Sequence, residues 1–203
     1  MSFSLNEVEA TAKRAARGGG YSWGLAEEAG KATRWLCMQG LDGVAELALL
    51  LEKGLTTNES PNGSHDGQGP RCPLLAGSGL SDSANHMTRP SAEMLNVSQP
   101  ALILPFAAMA ARRMRAPLRI TARTWTAETD GHNLNITGSP TDPVSDLHVE
   151  PCDTVASALP HHTRATPDPV HWETLNRFAH RTYAPATEES RRLGAGSGKT
   201  DND

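Results

Sequence analysis

Residues 193–200, Leu193-Gly194-Ala195-Gly196-Ser197-Gly198-Lys199-Thr200, place glycines, a lysine and a threonine in an order similar to that of a phosphate-binding loop. Such a loop needs a glycine where Leu193 stands, a buried strand before it, and a helix after it whose first amides hold the phosphate. Only Asp201, Asn202 and Asp203 follow. The context therefore argues against nucleotide hydrolysis, and a Gly-rich tail over 194–203 is the expectation. A softer anion site survives, because Arg181, Tyr183, Arg191 and Arg192 lie close to those glycines and arginine forks with glycine amides suit a carboxylate or phosphate. At the other end, Tyr21 and Trp23 follow a triple glycine and can frame a pocket to which Glu27 and Glu28 bring carboxylates. The plainer reading of those two is dipole complementarity and surface polarity.

The remaining reactive residues are less specific. Among eight histidines, His161-His162 with His171, and His148 with Glu150 and Cys152, supply metal-ligand types. None has the helical i,i+4 pair or the Cys-x-x-Cys spacing of a zinc site, so surface histidine is the reading and no metal is assigned. Ser190 and Cys72 are possible nucleophiles and His171 and His180 possible bases, but none lies in a recognisable elbow. No catalytic residue and no cofactor is assigned, and enzymatic activity is left open.

Composition narrows the classes. With 19 basic and 23 acidic residues the net charge is −4, and no basic face is concentrated enough for general nucleic-acid binding. The start of the chain has no basic-then-apolar leader and no run approaches the ~18 apolar residues of a membrane span, so a soluble, cytoplasmic protein is expected. Three widely spaced cysteines, Cys37, Cys72 and Cys152, argue for free thiols. Hydrophobic content of 37%, aromatic content of 4%, 18 glycines and 14 prolines predict a single domain over 1–203 with long irregular connections. Residues 55–72 and 151–168 read as those loops.

The elements follow from periodicity and punctuation. Ser4-Leu5-Asn6-Glu7 is a capping box, with Phe3 and Val8 placed for a hydrophobic staple. The helix it opens has Leu5, Val8, Ala12, Ala15 and Ala16 on one stripe and stops at Gly18-Gly19-Gly20. A second helix over 23–38 turns Leu25, Ala29, Ala32 and Leu36 inward and pairs Glu27 with Lys31 outward. A third opens at Asp42, carries Val44, Leu47, Leu50 and Leu51, and ends at Gly54. Residues 73–82 read as a short buried segment and a turn. The densest apolar run, 100–138, is expected to organise the core: a buried strand running into a helix over 102–114, then alternation at Leu118, Ile120 and Ala122, resumed at Leu134 and Ile136 beyond the Asp130-Gly131 hairpin signal. Leu147 to Val149 adds a short strand. Asp168 and Pro169 cap and open a last helix whose inner stripe is Trp172, Leu175, Phe178 and Ala179.

Three stretches carry a resemblance: residues 4–18 (Ser-Leu-Asn-Glu-Val-Glu-Ala-Thr-Ala-Lys-Arg-Ala-Ala-Arg-Gly), residues 23–32 (Trp-Gly-Leu-Ala-Glu-Glu-Ala-Gly-Lys-Ala), and the terminal 181–203 from Arg-Thr-Tyr-Ala-Pro to Lys-Thr-Asp-Asn-Asp. They resemble an uncharacterised bacterial family, domain of unknown function 3726, over most of the chain. The resemblance implies that the two ends are the family's characteristic parts and brings no activity with it. The expected fold is α+β, an N-terminal three-helix unit and a C-terminal helix packed on a small, mostly antiparallel sheet, with a βαβ unit through Leu102 and Ile120 as the alternative. The favoured function is a binding module for a small anionic metabolite. One wall is Trp23, Glu27 and Glu28; the other is Tyr183, Glu188, Arg191 and the loop with Gly196 and Gly198, which requires the chain ends to meet. The alternative is a non-catalytic accessory subunit of a larger metabolic enzyme complex, with a protein partner or a second copy of the chain; neither reading involves nucleic acid or membrane.

Overall fold

The computed structural model describes residues 1–56, 69–84 and 91–183. Its N-terminal part is three helices, each set by a local signal. Helix α1 (Leu5–Gly18) begins where the Ser4 hydroxyl accepts the Glu7 amide at 3.2 Å. Helix α2 (Trp23–Met38) is capped by Ser22, and α3 (Gly43–Lys53) by Asp42, whose carboxylate accepts the Ala45 amide at 3.0 Å. Gly54, at φ 66°, ends α3 in the left-handed conformation that glycine adopts without a steric penalty. The facing surfaces of these helices are small. Ala12, Ala15 and Ala16 of α1 and Ala26, Ala29 and Ala32 of α2 are buried, and Gly30 lies so near the Glu9 carbonyl that a Cβ there would stand 2.9 Å from it. Close helix packing therefore depends on short side chains rather than on interlocked large ones.

Residues 73–82 are not a segment and a turn. They belong to helix α4 (Pro73–Ser83), started by Pro73 in its first turn. A short 3-10 helix (Pro100–Ile103) leads into α5 (Leu104–Met114), buried over its first turns, so the strand expected before that helix does not exist and neither does the βαβ alternative. Pro105 sits in the first turn of α5, where its missing amide costs nothing.

The sheet is α5's support. It contains β2 (Ala92–Ser98), β3 (Leu118–Thr121), β4 (Trp125–Thr129), β5 (Leu134–Gly138) and β6 (Val144–Pro151) in the order β2-β6-β3-β4-β5, every pair antiparallel. The Asp130-Gly131 turn joins β4 to β5; the Asp130 carboxylate accepts the His132 and Asn133 amides. The short strand expected near Leu147 is the eight-residue β6, which holds β2 on one side and β3 on the other. Leu118, Ile120, Ala127, Leu134, Leu147 and Val149 are buried beneath α5, while Arg119, Thr121, Glu128 and His148 take the opposite face. On the rim, β2 shifts register between Met94 and Val97, with Asn96 at φ 56°, and the Arg71 backbone pairs beside the bulge: its amide donates to the Asn96 carbonyl and its carbonyl accepts the Ser98 amide.

The two chain ends are tied together as far as the described residues reach. Strand β1 (Phe3–Ser4) pairs with β7 (Arg164–Ala165), and helix α6 (Pro169–His180), capped by Asp168, packs along α1 and α3. Phe3 stacks on Trp172 with ring centroids 3.9 Å apart. No helix among the described residues is long and apolar enough to cross a membrane.

Candidate functional site

Helical spacing puts Glu28, Lys31, Ala32, Trp35 and Met38 on one face of α2 and Pro105, Phe106, Met109 and Arg112 on one face of α5. Where the two faces oppose they leave an open groove of about 350 Å³, floored by Trp35, Met38, Phe106 and Met109. That size and lining suit a small molecule with an apolar body. Three cations, Lys31, Arg34 and Arg112, and one carboxylate, Glu28, edge it. Lys31 donates to Glu28 Oε1 at 2.8 Å and Arg34 reaches Glu9 at 3.4 Å. Among the described residues the Arg112 guanidinium has neither a hydrogen-bond nor an ion-pair partner; its stem lies against Gly131. Two further polar atoms are buried without a partner, the indole N–H of Trp35 and Oε2 of Glu28. Each such atom in a folded protein has an unmet demand that costs roughly 1–3 kcal/mol.

The residues singled out in the sequence distribute over two surfaces. Glu27 and Glu28 stand just beyond the first turn of α2, which contains no acidic residue, so the helix dipole does not account for them. Glu27 pairs with Lys13 of α1 and not with Lys31, which Glu28 takes. The Lys13 ammonium holds the Glu27 carboxyl below its ordinary range. Trp23, 68% exposed, lies under the Arg17 guanidinium at 4.4 Å. Tyr21 is core, its hydroxyl donating to the Leu55 carbonyl at 3.2 Å and lying 3.5 Å from the Cys72 sulfur. The Tyr183 hydroxyl accepts from Arg14 at 2.9 Å. Lys13, Arg14 and Arg17 of α1 thus hold Glu27, Tyr183 and Trp23, and of the sequence-named site residues that are described only Glu28 lines the groove. Glu188, Arg191, Gly196, Gly198, Ser190, Arg192 and the loop over 193–200 lie outside the described residues.

Other reactive groups are occupied by the fold. Cys37, Cys72 and Cys152 form no disulfide; burial pushes Cys37 up to about 11, which keeps it protonated at neutral pH, and Cys72 is fully enclosed. His132 and His161 meet edge to face at 4.8 Å beside Gln39, whose amide donates to the His132 carbonyl. Among the described residues no group of three or more His, Cys, Asp or Glu is arranged to hold a metal.

One constellation had no signal in the sequence. Gln99, buried at φ 44°, accepts from Lys53 Nζ at 2.8 Å and donates to Glu46 Oε2 at 3.2 Å. Lys53 also donates to the Ser98 hydroxyl at 2.9 Å and the Pro143 carbonyl at 3.0 Å. With all three ammonium protons committed, Lys53 works as a cross-link between α3 and the end of β2 rather than as an acid or base.

Residues 3–94 match the model of a family described as protein of unknown function (DUF3726). The match spans α1 to α4 and ends within β2, under half of the chain, and the terminal stretch 181–203 falls outside it, so the family likeness rests on the N-terminal part rather than on most of the chain. No curated protein and no solved structure matches.

Proposed function

We propose that this protein is a binding module for a small anionic metabolite with an apolar body, held in the groove between α2 and α5. The observation that carries this reading is Arg112, an arginine with no partner among the described residues, at the edge of an apolar floor that also buries an unpaired indole N–H. A carboxylate over Arg112 would take a charge-assisted pair, and an alkyl or aryl body would cover Phe106 and Met109. Of the carboxylates singled out in the sequence, Glu28 stands on its wall. Trp23 and Tyr183 lie apart from the groove, against Arg17 and Arg14 of α1. Octanoate serves as the probe: it should raise the melting temperature of the wild type in a concentration-dependent way, and Arg112→Ala should weaken its binding about tenfold or more by calorimetry. Equal binding to wild type and Arg112→Ala would remove the groove as the anion's seat.

A further inference from the structure

The groove does not end at Glu28. Beyond it, toward the N-terminus of α2, a second cavity of about 400 Å³ opens between α2, α4 and α5 and shares Glu28, Phe106 and Met109 with the first. Its remaining lining is of a different kind: Ser78, Ser81 and Asp82 on one face of α4, and Ser22 and Glu27 on α2. Three carboxylates, Glu27, Glu28 and Asp82, line it with one base, Arg113, each carboxylate already paired with a cation (Lys13, Lys31 and Arg113), where the first cavity has three bases and one carboxylate. Arg113 is committed to the Ser81 carbonyl and to Asp82 at 3.2 Å. The Ser81 hydroxyl is not: the residue is 2% exposed and its oxygen has no partner, as is true of Oε2 of Glu28.

Resting on the binding reading above, we infer that this second cavity is an ammonium subsite, so that the whole groove takes an elongated zwitterion, its carboxylate at Arg112 and its amine between Ser81 and Glu28. The unmet groups sort by end. Those near Arg112 and Trp35 are donors, and those near Ser81 and Glu28 can accept. Neither accepting atom meets solvent as placed, so taking up the amine requires Ser81 to change rotamer about Cα–Cβ and Glu28 to turn about its broad terminal torsion. Seven residues of α2, about 10 Å of helix, separate Glu28 at the amine end from the unpaired Trp35 indole at the carboxylate end, and the ligand length is taken from that span. An α-amino acid, whose charges lie on one carbon, cannot bridge them; an α,ω-amino acid of about eight carbons can. The shared apolar floor of Phe106 and Met109 then covers its methylene chain.

The test compares octanoate, octylamine and ω-aminooctanoate by calorimetry on the full chain. The inference expects ω-aminooctanoate to bind about tenfold or more tightly than octanoate, the worth of a charge-assisted hydrogen bond. It also expects Ser81→Ala and Glu28→Gln each to bring that preference toward one, with melting curves confirming that both variants fold. If octanoate and ω-aminooctanoate bind alike, the ammonium subsite is wrong while the anion site stands. If octanoate does not bind at all, the anion site falls, and the zwitterion with it. A preference for ω-aminooctanoate that survives both substitutions would place the amine elsewhere and overturn the assignment.

Discussion

Burial pushes the Glu46 carboxyl up to about 7, and the hydrogen bond from Gln99 and the nearby Lys53 ammonium offset only part of that desolvation, to which the neighbouring Asp42 charge adds. The folded carboxyl keeps its proton up to about 7, whereas an unfolded one releases it near the ordinary glutamate value of 4.5. Between those limits the folded state binds more protons, so Glu46's contribution to stability is complete below 4.5, declines as pH rises through the window, and is gone above about 7. Denaturant melts at pH 5 and pH 8 should therefore differ less for Glu46→Gln than for the wild type, since the amide keeps the neutral shape without a proton to lose. A pH dependence identical in the two proteins would mean that Glu46 does not titrate in this range. The strained backbone of Gln99 belongs to the same cluster: it is the residue that lets one side chain serve both Glu46 and Lys53.

Helix contacts are where single substitutions should cost or gain most. At Gly18 an added Cβ would fall 1.8 Å from the Phe178 carbonyl oxygen, a backbone atom that cannot swing aside, so Gly18→Ala must separate α1 from α6. We expect a loss of roughly 1–3 kcal/mol, read as a lower melting temperature. Arg115 closes α5 at φ 55°, a position that glycine fills without the Cβ penalty. Arg115→Gly should stabilise by about 0.5–1 kcal/mol, the left-handed strain less glycine's extra unfolded entropy. The same elements show what sequence can convey. Ser4, Asp42 and Asp168 announce helix starts by local hydrogen bonds, and a reader needs no tertiary information to see them. Helix α4 hides because Gly77 and Gly79 interrupt its apolar pattern, and Gly77 is there for space, with the Phe106 ring against it. Strand β2 hides because its bulge breaks the alternation between Met94 and Val97. The groove was legible only in Glu27 and Glu28: its other walls come from α4 and α5, far along the chain, where Phe106 and Met109 look like any core residues and Arg112 like any surface charge.

At the scale of the whole molecule, one continuous set of buried side chains runs from Leu5 through α5 to Ala179, and α6 returns to cover α1. The part that matches the family, residues 3–94, therefore lacks its own closure: α6, α5 and all but the first three residues of β2 lie beyond it. A fragment of residues 1–94 should expose the α1 stripe and the surfaces of α2 and α4 that pack on α5, and should melt without a cooperative transition by circular dichroism, in contrast to the full chain. A sharp transition in the fragment would show that the helices form an autonomous unit. The kinked rim of the sheet has a consequence at this scale too. Arg71 already occupies the hydrogen-bonding groups beside the bulge in β2, and the left-handed Asn96 bends the strand away from a straight path. An incoming strand would find neither a flat margin nor a continuous row of free amides and carbonyls. Crowded copies of this chain are thus denied one of the easiest routes to fibrous stacking, and any association through this margin has to be made by side chains instead.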